Sequence, residues 1–291
     1  MSLIDRQLDK TINKVEVAID RLKLFEPPDG YWLAYSGGKD SCCIKRLAEM
    51  AGVKFEAHYS CTSVDHPDLV RFIKADRTVS FDIPHYTDGS PITMWNLIVK
   101  KKMPPTRLVR YCCQELKESA GKGKVTVTGV RWAESVNRAK NQGLINIHGN
   151  KKSDRLILNL DNDVSRREVE QCYRTRKTLV NPIVDWEEED VWEFIKTENI
   201  PYCGLYGDIT KNYSCTGKKR LGCIGCPVST KSKQEFVEYP QYKKLYIKAF
   251  DRMLLQLVGA DWKTGEEVFD WWVNGGNKYI DENQISFEDL A

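Results

Sequence analysis

No run of apolar residues in this chain approaches the length of a membrane span, which excludes a protein anchored by transmembrane helices. The N-terminus lacks the charged-then-apolar layout of a signal peptide, so the expected location is cytoplasmic. An excess of one charge is missing as well. The 44 basic and 41 acidic residues leave a formal charge of +3, too balanced to argue for nucleic acid by itself, although local basic stretches remain as contact surfaces. Internal repeats and low-complexity tracts are absent. Cysteine is not scarce, with ten in the chain, but a reducing compartment makes a disulfide framework the wrong expectation. Their spacing is therefore to be read for metal or redox chemistry. With 291 residues the chain can bury a sizeable core and reads as one α/β domain with extensions.

What is present is concentrated first in residues 31–41, Tyr-Trp-Leu-Ala-Tyr-Ser-Gly-Gly-Lys-Asp-Ser. An apolar run ends in Ser36, two glycines, a lysine, an aspartate and Ser41, the grammar of a phosphate-binding turn. Gly37 and Gly38 can adopt backbone angles closed to other residues, so successive N–H groups can point at an anion, and the helix that follows adds its positive end. Lys39 adds a point charge and Asp40 a hard oxygen ligand for magnesium. The spacing is neither the Walker pattern nor Gly-x-Gly-x-x-Gly. It resembles the Ser-Gly-Gly-x-Asp-Ser loop of the PP-loop ATP pyrophosphatases, which split ATP between the α and β phosphates. The bland alternative is an ordinary Gly-Gly turn between a strand and a helix.

Ile4, Leu8, Ile12, Val15, Ile19 and Leu22 recur at three- and four-residue steps, which predicts an N-terminal amphipathic helix within 1–29, stopped by Pro27, Pro28 and Gly30. Its default role is packing or self-association, and a homodimer is one expectation. Strands at 31–35, 53–59, 78–83 and 124–129 alternate with helices at 41–51, 67–75, 92–102, 110–119 and 132–140. That alternation implies an α/β fold with a doubly wound parallel sheet. From Gly143 to about Leu179 the pattern turns to short alternations around Gly149-Asn150 and Asp161-Asn162-Asp163, which suggests a β-rich insertion. Helix 187–198, a cysteine-rich loop at 203–228 and a long helix from about 234 to 257 follow. The expected division is 1–29, a nucleotide-binding domain at 30–230 and a helical C-terminal extension at 231–291.

Cys223-Ile-Gly-Cys226-Pro is a tight C-x-x-C, and Cys112-Cys113 is an adjacent pair. A C-x-x-C hairpin offers two thiolates to one metal, and a second segment far along the chain can complete a four-sulfur shell. Zinc and an iron–sulfur cluster are both permitted. Cys42, Cys43 and Cys61, on apolar helix or strand faces, read instead as buried small hydrophobes. Cys203, Cys215 and Cys172 fall between the two cases. A redox-active C-x-x-C of thioredoxin type opens a helix directly after a strand, whereas this one lies in a loop.

Four segments together resemble the phosphoadenosine-phosphosulfate reductase family, a branch of the PP-loop superfamily, from about residue 30 to 230. They are Ser36-Gly-Gly-Lys-Asp-Ser41, then Arg110-Tyr-Cys-Cys-Gln-Glu-Leu-Lys117, then Thr128-Gly-Val-Arg-Trp-Ala-Glu-Ser135 with Arg138. The fourth runs from Asn181-Pro-Ile-Val-Asp-Trp186 through Ile200-Pro-Tyr-Cys-Gly-Leu-Tyr206 to Gly222-Cys-Ile-Gly-Cys-Pro227. The resemblance implies an adenine nucleotide α-hydrolase-like fold that binds ATP and Mg2+ through Tyr35, Ser36, Gly37, Gly38, Lys39, Asp40 and Ser41. Gly129, Arg131, Glu134, Ser135 and Arg138 then lie near the phosphates or the sulfur-bearing group, and Lys39, Asp40 and Arg131 are the expected catalytic residues. Two arginines a turn or two apart can clamp an oxyanion, against the alternative of surface salt bridges. A [4Fe-4S] cluster on Cys112, Cys113, Cys223 and Cys226 is also implied, with Cys215 or Cys203 as substitutes for Cys112 or Cys113.

Reductases of this family carry a catalytic cysteine in a C-terminal tail, and here no cysteine follows Cys226. With the intact Lys39-Asp40 pair, that shifts the expectation toward the PP-loop sulfurtransferases. They activate a substrate by adenylylation for sulfur transfer, here to a nucleic acid, with a sulfur-donor protein such as a cysteine desulfurase as partner. Reduction of adenylyl sulfate or phosphoadenylyl sulfate to sulfite is the alternative. A third reading is a nucleotide-binding module without turnover that docks through Trp271-Trp272, although paired tryptophans are more often core or lid residues.

Overall fold

The computed structural model describes residues 3–6, 11–118, 120–121, 123–148, 155–172, 177–209, 215–257 and 259–274. The Gly149-Asn150 centre of the expected insertion lies outside them. The chain forms two compact units that interleave in sequence. The first comprises Met1–Cys61, His66–Ile83 and Glu118–Leu221, the second Thr62–Asp65, Pro84–Lys117 and Gly222–Ala291. Compactness thus divides the chain at other places than residues 29 and 230.

In the first unit β1 (Ile4–Arg6) and β2 (Thr11–Asn13) form an antiparallel hairpin. The amphipathic helix begins only at Lys14 and runs to Leu24, where Ala18 and Leu22 are buried. This corrects the expectation of one helix from Ile4. The reason is a cap: the Asn13 side chain accepts a hydrogen bond from the Val15 amide at 3.1 Å and fixes the helix start.

A seven-stranded sheet follows, built from β3 (Tyr31–Ala34), β4 (Phe55–Ser60), β5 (Val79–Asp82), β6 (Val125–Val127), β7 (Ile145–His148), β8 (Leu156–Leu158) and β9 (Lys177–Val180). Their order is β5-β4-β3-β6-β9-β7-β8. The β5-β4-β3-β6-β9 portion is parallel, while β7 pairs antiparallel with both β9 and β8. The chain leaves β3 toward β4 and β5 on one side and returns through β6 on the other. This reversal makes a crevice beyond the carboxyl ends of β3 and β6, the place where open α/β sheets bind ligands. Tyr31 and Leu33 are buried and Trp32 is half-buried, the two-residue period of a strand. The expected β-rich insertion contains β7, β8 and also a helix, Asp163–Cys172.

The second unit is helical. Met94–Lys101, a turn at Tyr111–Cys113 that widens into a π-helical stretch at Gln114–Glu118, Ser232–Glu238, Pro240–Leu254 and Gly265–Val273 surround Ile98, Tyr246, Phe250, Met253 and Val268. The long helix expected at 234–257 is two helices, because Pro240 has no N–H to continue the first and starts the second at its first position. Trp272 is buried in this core, its ring 4.7 Å from that of Tyr246 and its Nε1 donating to the Pro105 carbonyl at 2.6 Å.

Candidate functional site

The first site lies at the crevice beyond β3 and β6. β3 delivers Ser36, Gly37 and Gly38, and the helix Lys39–Ala51 starts directly after them. Gly37 has φ +70°, and a Cβ there would fall 2.6 Å from Ile73, so both the turn and its packing demand glycine. Gly38 is the N-cap and offers no side-chain hydrogen bond to the first turn. The Lys39 amide donates instead to the Tyr206 hydroxyl at 3.1 Å. From β6 the chain passes through Thr128 and Gly129, where a Cβ would sit 3.0 Å from the backbone of Asp40.

Buried cations organise the acids of this loop. Arg131 donates from Nε to Asp40 at 2.6 Å, from Nη2 to Glu188 at 2.8 Å and from Nη1 to the Trp186 carbonyl at 3.2 Å. Burial works against its charge, but Asp40 and Glu188 outweigh it and raise its pKa. Lys39, also buried, stands 3.4 Å from Glu188 and 3.6 Å from Asp40, and donates to the Lys219 carbonyl at 3.4 Å. Arg131 and Lys39 are thus engaged by protein groups and hold Asp40 in place.

A cavity of about 230 Å³ opens here, walled by Ser36, Gly38, Asp40, Ser41, Glu134 and Arg138 among others. Glu134 pairs with Arg138 and, at 3.3 Å, with Arg220. Burial pulls the Arg138 guanidinium below its ordinary value, Glu134 opposes, and the charges of Arg220 and Arg131 pull it further down. Two arginines sharing one carboxylate leave room for an anion, which would relieve their repulsion. Ser135 caps the helix Val136–Asn141, accepting from the Arg138 amide at 3.3 Å. Tyr35 lies buried beneath the loop, its hydroxyl 3.4 Å from Cys42.

Sequence reasoning brought the loop, Gly129, Glu134 and Arg138 to this place and missed Glu188, Tyr206 and Arg220. Tyr206 lay inside a quoted segment, and Glu188 stands two residues past another. Arg220 sits in a loop with no periodicity to mark it.

The second site belongs to the helical unit. Cys223–Cys226 forms a turn in which the Cys226 amide donates to the Cys223 carbonyl at 3.2 Å and the Ile224 amide to the Val64 carbonyl at 2.7 Å. Gly225 has φ +71°, and a Cβ would lie 2.4 Å from the Phe236 ring. Cys112 and Cys113 end the Tyr111–Cys113 turn. A hydrogen bond to Cys113, burial, and the charges of Cys113, Cys223 and Cys226 all push the Cys112 thiol up. Burial pushes the Cys223 thiol up to about 12. It lies 3.4 Å from Asp65 and 3.7 Å from Thr62.

Among the described residues, no three His, Cys, Asp or Glu side chains already stand in metal-holding positions. The donor set nonetheless suits a thiophilic metal, and closing a shell asks these thiols to turn from their present hydrogen bonds. Cys203 and Cys215 belong to the first unit, where Cys203 is packed in the apolar core. Cys42 and Cys43 are buried, as expected of small hydrophobes, and Cys61 is half-buried. No described helix is long and apolar enough to cross a membrane.

A phosphate-type turn at the reversal point of a mostly parallel sheet, with a separate thiol set, defines a class of α/β proteins. Residues 30–229 match the phosphoadenosine phosphosulfate reductase domain, and the chain belongs to that family. An uncharacterized protein of Methanocaldococcus jannaschii is 24% identical over 246 residues, covering 82% of this chain and 50% of that protein, so the chain spans about half the length of this relative. Among solved structures, Candida glabrata FMN adenylyltransferase in complex with FAD and inorganic pyrophosphate is similar at 12% identity and a TM-score of 0.43, covering 95% of this chain and 79% of that one. Candida auris phosphoadenylyl-sulfate reductase in a phosphate complex is similar at 14% and 0.40, covering 70% and 91%. Scores below 0.5 leave these as loose resemblances on which no functional statement rests.

Proposed function

We propose that this chain is a PP-loop enzyme of the ATP-pyrophosphatase type, which activates a substrate by adenylylation for sulfur transfer to a nucleic acid. The observation that supports this most is the cavity beside the Ser36–Ser41 loop, where Arg138 and Arg220 share Glu134 and the start of the Lys39–Ala51 helix adds its positive end. At about 230 Å³ it falls below the ~300–1,000 Å³ of whole-ligand clefts, so it is assigned to the phosphate chain and not to the entire nucleotide.

In this reading Arg138 and Arg220 bind phosphate oxygens, and Asp40, held by Arg131 and Lys39, presents an oxygen to magnesium. A substrate oxygen attacks the α phosphorus and pyrophosphate leaves, its charge met by the loop amides. A sulfur nucleophile then displaces AMP. Cys112, Cys113, Cys223 and Cys226 would hold a [4Fe-4S] cluster, which when bound would supply an iron site for that sulfur. A donor protein such as a cysteine desulfurase would bring it as a persulfide, with a thiol supplying the two electrons that take it to the sulfide level.

Family membership favours a second reading, reduction of a sulfonucleotide to sulfite. Phosphorus NMR on anaerobic reactions with ATP, magnesium, sulfide and a nucleic-acid pool separates the two. AMP and pyrophosphate in equal amounts, lost in Asp40→Ala, are expected. Sulfite formed from a sulfonucleotide and a thiol without ATP overturns sulfur transfer and establishes the reductase.

A further inference from the structure

The helical unit carries a second opening that the nucleotide site does not use, a groove of about 580 Å³ beside the Cys223–Cys226 turn. Gly225 and Pro227 line it, with Cys226 between them in the chain. Its walls combine three chemistries: the cations of Arg107 and Lys233, the hydroxyls of Thr106, Ser229, Thr230 and Ser232, and the half-buried ring of Trp271. Arg107 and Lys233 are exposed, Leu108 beside them is 95% exposed, and no described lining residue carries a carboxylate.

A small-anion site buries and pairs its arginines, as Arg138 is held at the first site. Here the cations are exposed, and hydroxyls and an aromatic ring line the same groove. This is the combination that holds single strands, with phosphates on cations and hydroxyls and bases on an aromatic face.

We propose that the groove binds a single-stranded nucleic acid, its phosphates on Arg107, Lys233 and the groove's hydroxyls and one base on Trp271. The proposal deepens the sulfur-transfer reading, on which it rests for its role in the reaction, because the strand then passes the turn that carries Cys226. The binding itself stands on the groove.

Fluorescence anisotropy of a labelled single-stranded RNA of about 12 nucleotides, and of DNA of the same sequence, tests it on the full chain. Binding tighter than about 100 µM at low salt, falling steeply as salt rises, is expected. The double variant Arg107→Glu/Lys233→Glu, at exposed positions, should weaken binding at least about tenfold and flatten the salt dependence. Trp271→Ala should weaken it about tenfold while Trp271→Phe keeps most of it.

No binding, or variants that bind like the parent, overturn the proposal. So does competition by polyglutamate as effective as by unlabelled strand, which marks the face as one for acidic proteins. ATP-induced thermal shifts of the parent chain separate the two ideas. A parent that responds to ATP but binds no strand sinks the groove alone, and one that binds the strand but does not respond to ATP sinks the nucleotide reading alone.

Discussion

Arg131 is the residue on which the candidate nucleotide site turns. Its guanidinium is 2% exposed and spans Asp40, Glu188 and the Trp186 carbonyl, so it acts by fixing Asp40. Arg131→Ala removes the shared cation from two carboxylates, one of them only 20% exposed, and should cost about 3 kcal/mol, measured by denaturant titration. Glu188, 46% exposed, keeps the loss from the upper end of the range for buried pairs. The double variant Arg131→Ala/Asp40→Ala should cost clearly less than the sum of the single ones, since the stranded carboxylate goes with it. Additive costs would show that Arg131 and Asp40 do not depend on each other. The loop residues were readable in the sequence because their types and spacing are tied to a backbone shape. Arg131 was readable as important but not as internal, since burial depends on Trp186 and Glu188, more than fifty residues away.

Among the elements, the Cys223–Cys226 turn is fixed by packing as much as by its cysteines. Gly225 combines a positive φ with the Phe236 ring where a side chain would begin, whereas Gly123, at φ +75°, has open space there. Gly225→Ala should therefore cost roughly 2–3 kcal/mol and lower metal uptake, while Gly123→Ala should cost about 1 kcal/mol from backbone strain alone. Calorimetry of both variants, with metal analysis after reconstitution, checks the contrast. Equal costs would mean that Phe236 yields freely. The parallel strands were legible from their apolar runs and the helices between them from their period. The N-terminal error has an instructive cause: Asn13 with Glu16 three residues on is a helix-start signal, and the apolar repeat running through it masked the break. The division at Pro240 was legible too, and so was the face of Gly265–Val273, where Val268, Phe269 and Trp272 follow helical spacing and are buried.

At the scale of the molecule, two interleaved units each carry one kind of chemistry: a phosphate-type cavity at the sheet's reversal point, and the Cys112-Cys113 and Cys223/Cys226 pairs in a helical unit. Contiguous boundaries drawn from sequence could not show this, because residues 62–65 and 84–117 join the helical unit from within the stretch that builds the sheet. The segments after Gly222 are part of the core that holds the Cys223–Cys226 turn, where Tyr246 donates to the Ile224 carbonyl at 3.1 Å. Whether the Ser36–Ser41 loop and the Arg138–Arg220 pair hold the phosphates of ATP is read from the melting temperature with ATP and magnesium, with AMP, and with neither, in the parent and in Arg138→Ala/Arg220→Ala. ATP should stabilise the parent by an amount that grows with the logarithm of its concentration, reaching about 2.7 kcal/mol at a hundredfold excess over Kd. AMP should stabilise less, and the double variant should lose most of the difference. Equal shifts from ATP and AMP, or an ATP shift untouched by loss of both arginines, would contradict that placement of the phosphates.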